Sequence, residues 1–292
     1  MQRAVARALG ASEAEADAVA PLVEIVTTGD RIQDRRLLEV GGKAMFTKEI
    51  EEALLDGRVD LAVHSMKDVP TEPPPGLVIA AAPMREDARD AFISETYPTF
   101  GDLPAGARLG TASLRRQAQA LALRPDMKVE VLRGNVDTRL RRLADGEFDA
   151  ILLACAGLER LGRTEVIRER LSLNDFLPAP GQGALALQVR AEDADAEWLR
   201  SLNHPETALA VAAERGAMVS LEGSCRTAVG AHAVIAEGVL RLTVEMLAPD
   251  GSARWRRSGE IAASASESEA WSLGERLGAE VHGEAGNQEI PL

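Results

Sequence analysis

The sequence is poor in aromatic residues, and it has two cysteines, four histidines and no long apolar run. Aromatic residues make up 3% of the chain, which argues against stacking surfaces for single-stranded nucleic acid. The net charge of −13 also disfavours a nucleic-acid partner. No stretch approaches the length of a membrane helix, and the start of the chain lacks the apolar core of a signal peptide. We therefore expect a cytoplasmic protein without a membrane partner.

The two cysteines are expected to remain thiols, because a large protein that is not secreted seldom depends on disulfides. Cys155 lies within the apolar stretch 151–156, which predicts a buried residue in the interior of a strand. Cys225 lies in 222–226, predicted to be an exposed loop in which neighbouring Arg226 favours the thiolate. An ordinary loop cysteine is the alternative. The dispersed cysteines and histidines have no metal-ligand spacing, so no metal is expected.

The order of apolar runs, helical patterns and turn residues predicts an α/β protein. A helix over 43–55 precedes buried strands over 59–63 and 77–82, a plan typical of a mostly parallel sheet. The segment 108–154 repeats this plan, with strands over 108–110, 129–132 and 150–154 and helices over 114–123 and 136–144. We therefore predict two similar α/β domains. The alternative is that the likeness of the two segments carries no information, because the succession of helix, glycine and strand is common in any α/β protein.

The sequence changes character near residue 204. A strand over 184–189 and a helix over 197–202 come before it, and a helix over 207–219 follows. Three alternating stretches over 229–236, 239–247 and 253–261, with a closing helix over 264–281, predict a small α+β domain with a three-stranded antiparallel sheet. The predicted division is domain 1 over 1–84 and 183–203, domain 2 over 88–178 and domain 3 over 205–292.

Basic residues are concentrated in the segment 108–142. It carries nine Lys or Arg residues and three acidic ones, a net charge of +6 in a chain whose total is −13. Scattered charge would leave this stretch slightly acidic, like the rest. Because the planar fork of arginine pairs two donors with one carboxylate or phosphate, the local excess predicts an anion site.

A strand-to-helix connection within this segment carries Thr111, Ser113, Arg115 and Arg116. Free backbone N–H groups, the helix dipole and two guanidinium groups could converge there on one anion. The alternative is that Ser113 is only an N-cap and that the arginines form a solvated helix face.

A second connection repeats the arrangement with Arg133, Gly134 and Asn135, and Arg139 follows in the next helix. In open α/β sheets, ligands bind beyond the carboxyl ends of strands, where both groups are predicted to lie. With Arg160 after the strand 150–154, at least five guanidinium groups are expected to face one cleft. Such a cleft suits a ligand with several carboxylates better than a single phosphate.

Polar residues also follow the buried strand over 59–63. Lys67 and Asp68 are adjacent, and on extended backbone their side chains would point apart. A carboxylate there can hold a proton or stabilise a developing cation, and a lysine can pair with an anion or form a Schiff base. A surface ion pair is the alternative. His64 has no partner motif and is expected to be structural.

Eight segments, in order and over nearly the whole chain, resemble the porphobilinogen deaminase family, whose members are also called hydroxymethylbilane synthases. They are GGKAMFTKEIE (41–51), VDLAVHSMKDVP (59–70), REDARDAF (85–92), GTASLRRQ (110–117), LRGNVDTRL (132–140), DAILLACAGLERLG (149–162), PAPGQGALALQ (178–188) and LEGSCR (221–226). The resemblance implies two similar periplasmic-binding-protein-like α/β domains and a small α+β C-terminal domain with a three-stranded antiparallel sheet.

The resemblance implies a transferase of tetrapyrrole and heme biosynthesis, active as a monomer. It would join four porphobilinogen molecules head to tail, lose ammonia each time, and release hydroxymethylbilane by hydrolysis. Cys225 would hold a dipyrromethane cofactor as primer through a thioether, and Asp68 would be the catalytic carboxylate. The resemblance implies cofactor binding by Lys67, Thr111, Ser113, Arg115, Arg116 and Arg133, and substrate binding by Lys43, Arg139 and Arg160.

Two features depart from the family pattern. The family usually begins with a strand and an R-x-S-x-L-A-x-x-Q motif, whereas this sequence opens at Met1-Gln2, near the end of that motif. The first strand and its Arg and Ser ligands are therefore expected to be missing, through a start codon placed too late or a defective polypeptide. Glu39 stands where relatives often have a basic residue, just before the GGK motif, which weakens one possible carboxylate contact.

Two other functions remain open. Two α/β lobes that close on an anion also describe a periplasmic-type solute receptor, and fold alone cannot separate the two. The combination of Cys225 with Asp68, and the lack of a signal peptide, favours the enzyme. A lyase that forms a Schiff base through Lys67 is the third possibility, and it predicts that borohydride traps a carbonyl substrate.

Overall fold

The computed structural model describes residues 1–28, 47–221 and 228–286. The chain forms two compact units, Met1–Arg85 with Ala184–Leu209 and Glu86–Gly183 with Ala210–Leu292. The second unit contains both the predicted domain 2 and nearly all of the predicted domain 3, and the division into three domains stays a prediction. Within the described ranges, no helix has the length and apolar character needed to cross a membrane.

Helices and strands alternate through much of the described chain. The helices are α1 (Gln2–Ala8), α2 (Ala16–Val19), α3 (Lys48–Leu55), α4 (Leu114–Leu123), α5 (Val136–Ala144), α6 (Cys155–Arg160), α7 (Glu197–Arg200), α8 (Pro205–Leu221) and α9 (Glu267–Gly286). The strands are β1 (Ala62–Ser65), β2 (Leu77–Ala81), β3 (Asp90–Ile93), β4 (Arg108–Gly110), β5 (Lys128–Glu130), β6 (Ala150–Ala154), β7 (Glu169–Arg170), β8 (Leu185–Arg190), β9 (Ala228–Ala236), β10 (Val239–Leu247) and β11 (Arg254–Ala262). The predicted α/β class is confirmed.

In the first unit, β8 is the central strand of a three-stranded sheet and pairs antiparallel with both β1 and β2. The prediction of a mostly parallel sheet is therefore wrong for these strands, because the middle strand comes from a later part of the chain and runs the other way. Leu187 and Val189 of β8 pack against Ala81 and Leu199 in the core of this unit. The predicted strand over 59–63 is observed as β1, which begins three residues later and ends two residues later.

In the second unit, five strands form a mixed sheet in the order β5-β4-β6-β3-β7. β4 is parallel to β5 and β6, as predicted, whereas β3 is antiparallel to β6 and β7. The sequence analysis did not identify β3. Its first residue, Asp90, lies opposite Ala154 at the carboxyl end of β6. Asp90 therefore lies at the edge of the sheet where β4 also ends.

Alternate residues of this sheet pack on opposite faces, as the period of a strand requires. Phe92 and Leu152 belong to a cluster on one face, in which Phe100 and Phe176 meet edge to face with ring centroids 5.3 Å apart. Ile151 belongs to a second cluster on the other face. Each such buried side chain contributes about 1.5–3 kcal/mol relative to an exposed one. The sheet is thus a firm support for residues at its edge.

Cys155 is buried, as predicted, but it does not lie inside a strand. The strand β6 ends at Ala154, and Cys155 is the first residue of α6. Its thiol is free, and burial raises its pKa to about 12. A thiol of this kind stays protonated at neutral pH and is a poor nucleophile.

The last part of the second unit contains the predicted three-stranded antiparallel sheet, which is confirmed with the order β11-β10-β9. A turn at Glu237 and Gly238, with φ values of 51° and 77°, joins β9 to β10. Positive φ at both central residues is the requirement of a two-residue hairpin turn that matches the twist of the strands. α9 packs against β10 and β11.

The turn between β10 and β11 rests on α4. Gly251 in this turn has a φ of +76°, and a Cβ built there would lie 2.3 Å from the backbone nitrogen of Ala122. Gln117 of α4 donates a hydrogen bond to the carbonyl oxygen of Pro249, at 3.3 Å. Ala118 of α4 packs with Ala228 at the start of β9. The antiparallel sheet therefore fixes the position of α4.

Candidate anion-binding site

The connection between β4 and α4 is shaped by two hydroxyl side chains. Thr111 is buried, and its Oγ1 accepts a hydrogen bond from the backbone N–H of Ser113, at 3.1 Å. Ser113 is the N-cap of α4, and its Oγ accepts from the backbone N–H of Arg116, at 3.4 Å. The N-cap interpretation is thus confirmed for Ser113. The cap also places both residues beyond the carboxyl end of β4, where the helix begins.

The second connection, between β5 and α5, has the same organisation. Asn135 is the N-cap of α5 and accepts from the backbone N–H of Thr138, at 2.8 Å. Gly134 has a φ of +112°, and a Cβ there would lie 2.9 Å from Cγ2 of Thr138. Its carbonyl oxygen accepts a hydrogen bond from Nε of Arg139, at 2.7 Å. Glycine is therefore needed for the turn that positions this arginine.

Arg115 and Arg116 do not form a solvated helix face, because both are buried, at 5% and 6% exposed. Both guanidinium groups pair with Asp90, which is fully buried at the start of β3. Nη1 of Arg115 lies 2.7 Å from Oδ2 of Asp90, and Nη2 of Arg116 lies 2.7 Å from Oδ1. Burial alone opposes ionisation of Asp90, but the two guanidinium groups outweigh it and hold the pKa of the carboxyl well below its usual range.

Arg133 and Arg139 differ from this pair in having no acidic partner among the residues that the structure describes. Nη1 of Arg133 is buried and has no hydrogen-bond partner there. Burial, followed by the neighbouring charges of Arg116 and Arg133, lowers the pKa of Arg139 to about 10. Three guanidinium groups thus repel one another near the carboxyl edge of the sheet, with one acid, Asp90, bound to Arg116. This arrangement fits a ligand that brings its own negative charge.

Arg160, at the end of α6, has protein partners in the second unit. Its Nε lies 2.7 Å from Oε2 of Glu86, and its Nη2 donates to the carbonyl oxygen of Gly183, at 2.9 Å. The side chain of Arg160 is 27% exposed. A ligand carboxylate would have to compete with Glu86 for this group.

In the first unit, β1 leads directly into a single 3₁₀ turn, Met66–Asp68, which places Lys67 and Asp68 beyond the end of the strand, both half-buried. His64 in β1 is buried and its Nε2 lies 2.9 Å from Oε1 of Gln188 in β8. Burial lowers the pKa of this histidine, which favours the neutral ring. These contacts agree with a structural role for His64.

The carboxylate of Asp68 has no hydrogen bond or ion pair within the described ranges. Two predicted site residues, Lys43 and Cys225, lie outside those ranges. Their predicted roles therefore stay predictions. The nearest described neighbours of Cys225 along the chain are Leu221, the last residue of α8, and Ala228, the first residue of β9.

The sequence analysis missed Asp90, Gln182 and Glu86, although all three lie in segments that carried the family resemblance. Nε2 of Gln182 donates to Oδ1 of Asp90, at 2.8 Å, and to the carbonyl oxygen of Ala88, at 2.7 Å. An acid directly before the apolar run 91–93 was a signal, since a charged residue entering a buried strand requires a partner. The sequence did not show which cation that partner would be.

The fold and this edge of the sheet define an α/β protein with a group of arginines beyond the carboxyl ends of its parallel strands. Residues 2–198 match the family model described as porphobilinogen deaminase, dipyromethane cofactor binding domain, and residues 208–283 match the model of the porphobilinogen deaminase C-terminal domain. The chain belongs to the porphobilinogen deaminase family, which is a family of enzymes.

Curated relatives agree with this assignment. A porphobilinogen deaminase of Caulobacter vibrioides strain NA1000 / CB15N is 58% identical over 293 residues, covering 98% of this chain and 91% of that protein. One of Phenylobacterium zucineum is 57% identical, with 98% and 92% covered. One of Sorangium cellulosum is 49% identical, with 96% and 93% covered.

Among solved structures, the chain is similar to a putative methionine-binding lipoprotein of Bacillus subtilis, with a TM-score of 0.36, 17% identity and coverage of 53% of this chain and 73% of that one. A nutrient-binding protein of Burkholderia cenocepacia bound to methionine gives a TM-score of 0.37, 19% identity and coverage of 52% and 73%. These TM-scores and identities are low. The fold is established by the strand order and pairing within its three sheets.

Proposed function

We propose that the chain is a hydroxymethylbilane synthase, a transferase that joins four porphobilinogen molecules head to tail and releases hydroxymethylbilane by hydrolysis. In each condensation the aminomethyl C–N bond breaks, ammonia leaves, a C–C bond forms, and the attacked pyrrole carbon loses its proton. The enzyme would act as a cytoplasmic monomer in tetrapyrrole and heme biosynthesis. The observation that carries the proposal is the group of Arg116, Arg133 and Arg139, which has one acidic partner, Asp90, among the described residues.

The residues of this edge fit a dipyrromethane cofactor, whose acetate and propionate groups bring several carboxylates. Nη1 of Arg133 is buried and has no partner in the described part of the chain, and the pKa of Arg139 is lowered; both observations support a place where an anion is needed. When bound, the cofactor supplies the pyrrole carbon to which the first substrate molecule is joined. Its carboxylates would be held by Lys67, Thr111, Ser113, Arg115, Arg116 and Arg133, and those of substrate by Lys43, Arg139 and Arg160.

Asp68 is proposed as the catalytic carboxylate. Its Oδ atoms have no competing hydrogen bond or ion pair among the described residues, so they remain available to accept a hydrogen bond from a pyrrole N–H. A carboxylate in this role stabilises the positive charge that develops as ammonia leaves. The 3₁₀ turn Met66–Asp68 fixes its backbone, since the N–H of Met66 donates to the carbonyl oxygen of Ala184, at 3.0 Å.

Cys225 is proposed as the covalent attachment point. Three positions after it in the sequence, Ala228 packs against Ala118 of α4, the helix whose first turn carries Arg115 and Arg116. Ala228 is thus close to Cys225 in sequence and in contact with the helix that carries two of the predicted cofactor ligands. A solute receptor would need no such anchor. The Schiff-base alternative with Lys67 predicts trapping by borohydride, which the thioether mechanism does not.

The test is intact-mass spectrometry of the purified protein, with Cys155→Ala as the matched control for Cys225→Ala. We expect wild type and Cys155→Ala to carry the added mass of two pyrrole rings and to consume porphobilinogen. We expect Cys225→Ala to lack both the mass and the activity while retaining the fold, as measured by circular dichroism. An unmodified wild-type mass together with full turnover would reject the covalent cofactor.

A further inference from the structure

We propose that Asp90 is a positioning residue, which holds the guanidinium groups of Arg115 and Arg116 in the one arrangement that accepts the cofactor. The inference rests on the proposed function and names a residue that acts through the two arginines. Asp90 is fully buried in the sheet, so it is placed to act on the arginines and not on the ligand itself.

Asp90 uses both carboxylate oxygens on the arginine pair. Oδ1 accepts from Nε of Arg116 at 3.0 Å, from Nη2 of Arg116 at 2.7 Å and from Nη2 of Arg115 at 3.3 Å. Oδ2 accepts from Nη1 of Arg115, at 2.7 Å. Arg116 therefore presents two donors side by side to the same oxygen, which fixes the plane of its guanidinium group.

The remaining donors of the pair bind main-chain and amide oxygens. Nη1 of Arg116 donates to the carbonyl oxygen of Leu152, at 3.1 Å, and Nη1 of Arg115 donates to that of Leu177, at 2.8 Å. Nη1 of Arg115 also donates to Oε1 of Gln119, at 3.0 Å. Nε of Arg115 is the donor that stays buried without a partner among the described residues. The pair is therefore held from several sides, with little freedom to turn towards a carboxylate by itself.

The support of Asp90 is itself rigid. Its backbone belongs to β3, where it lies opposite Ala154, and its carbonyl oxygen accepts from the N–H of Leu171, at 2.8 Å. Gln182 donates to its Oδ1 from the other side, at 2.8 Å. A carboxylate built on a strand in this way holds its partners to within a fraction of an ångström, which is the precision that a binding site requires.

The charge balance explains why an acid is needed at this place. Without Asp90, Arg115 and Arg116 would place two uncompensated positive charges beside Arg133 and Arg139 instead of one. Burial makes the repulsion between these charges costly. With Asp90 present, the pair carries one net positive charge. We infer that Asp90 keeps two arginines stable in a buried position while leaving enough positive charge for the carboxylates of the cofactor.

The test compares Asp90→Asn and Asp90→Glu with Asp149→Asn. Asp149→Asn is the control variant, because Asp149 lies at the opposite end of the same sheet. There its Oδ2 accepts a hydrogen bond from the backbone N–H of Arg108, at 2.7 Å. The readouts are the fraction of protein that carries the cofactor by intact mass, near-ultraviolet circular dichroism, and modification of Arg115 and Arg116 by phenylglyoxal, located by peptide mass.

We expect both Asp90 variants to fold but to reduce the loaded fraction by about tenfold or more, because an ångström of misplacement is enough to spoil such a site. Asp90→Glu keeps the charge and moves the carboxylate oxygens by one methylene. Reduced cofactor loading in this variant would therefore show that the position of the carboxylate matters and not its charge alone. In Asp90→Asn, Arg115 and Arg116 should become reactive towards phenylglyoxal. Asp149→Asn should load like wild type, with both arginines protected.

The proposal is overturned if the fraction of either Asp90 variant that carries the cofactor is within about twofold of the wild-type fraction. Failure of both variants to fold would assign Asp90 to the stability of the sheet alone and would equally reject it. If wild type carries no cofactor, the proposed function fails. Reactivity of the arginines would still test whether Asp90 holds them, because that readout needs neither cofactor nor substrate.

Discussion

Oδ1 of Asp90 accepts hydrogen bonds from both Nε and Nη2 of Arg116, at 3.0 and 2.7 Å, with neither residue appreciably exposed to solvent. The contact explains why the pKa of Asp90 is lowered although burial by itself would raise it. It also makes the stability of the second unit depend on pH, in a direction that follows from linkage.

The first prediction concerns acid denaturation. In the unfolded chain Asp90 binds a proton near its ordinary pKa of about 3.9, whereas in the folded chain it does so only at lower pH. The stability that Asp90 contributes is therefore complete above the unfolded value and is lost as the pH falls through it towards the folded value. We expect the urea midpoints of wild type and Asp90→Asn to converge as the pH falls from about 4 to about 2.

The measurement is urea unfolding of both proteins at several pH values, followed by circular dichroism. Asp149→Asn is again the control, because its carboxylate is partly exposed and is not enclosed by two guanidinium groups. A constant difference between wild type and Asp90→Asn over this pH range would contradict the linkage.

The second prediction concerns the repulsion among Arg116, Arg133 and Arg139. In the cofactor-free variant Cys225→Ala, replacing Arg133 by Gln should raise the free energy of unfolding by up to about 1 kcal/mol, after allowance for screening by solvent. The reason is that burial and the charge of Arg133 both disfavour the ionised form of Arg139. With Cys225 present, the same substitution should reduce cofactor loading.

Thermal unfolding of the cofactor-free protein, with and without Arg133→Gln, measures the gain. Arg141→Gln is the matched control, since Arg141 is an exposed arginine near the end of α5, where its charge favours the helix. If Arg133→Gln destabilises the cofactor-free protein as much as Arg141→Gln does, the guanidinium groups do not repel one another in the way the structure indicates.

The third prediction concerns the turn between β10 and β11. Gly251→Ala and Gly238→Ala place a side chain at nearly the same positive φ, +76° and +77°, which costs about 1–2 kcal/mol in either case. Only at Gly251 would the new Cβ meet another backbone, 2.3 Å from the nitrogen of Ala122. We expect Gly251→Ala to lose a further 1–3 kcal/mol, approximately, through this overlap.

Chemical denaturation of Gly251→Ala and Gly238→Ala measures the difference between their free energies of unfolding. Because α4 carries Ser113, Arg115 and Arg116, a shift of the helix in Gly251→Ala should also lower the fraction of protein that holds the cofactor. Equal stability of the two variants would mean that the turn does not rest on α4 as described.

Elements with strong local signals could be predicted to the residue. α4 and α5 were predicted with their observed bounds because each begins after a side-chain cap, Ser113 or Asn135, and carries a clear helical pattern. β4, β6 and β10 were also predicted with their observed bounds. These signals are local, and the chain obeys them.

What could not be predicted depends on residues far apart in sequence. The antiparallel position of β8, and the whole of β3, depend on which strands meet, and no local pattern states that. The net charge of the segment 108–142 indicated an anion site, but the count did not include Asp90, which lies before it. The sequence therefore predicted five similar arginines, whereas the described residues show three kinds of environment. Arg115 and Arg116 bind Asp90, Arg160 binds Glu86, and Arg133 and Arg139 have no acidic partner in the described ranges.

The central place of β8 between β1 and β2 has a consequence for the folding of the chain during translation. The ribosome makes β1 and β2 first, then the whole of Glu86–Gly183, and only afterwards the strand that joins them. Until then the facing edges of two nascent strands stay unpaired, a state that invites aggregation. Rapid translation of the chain from Glu86 to Arg190 would shorten this interval, and a chaperone that covers those edges would protect the two strands until β8 is made.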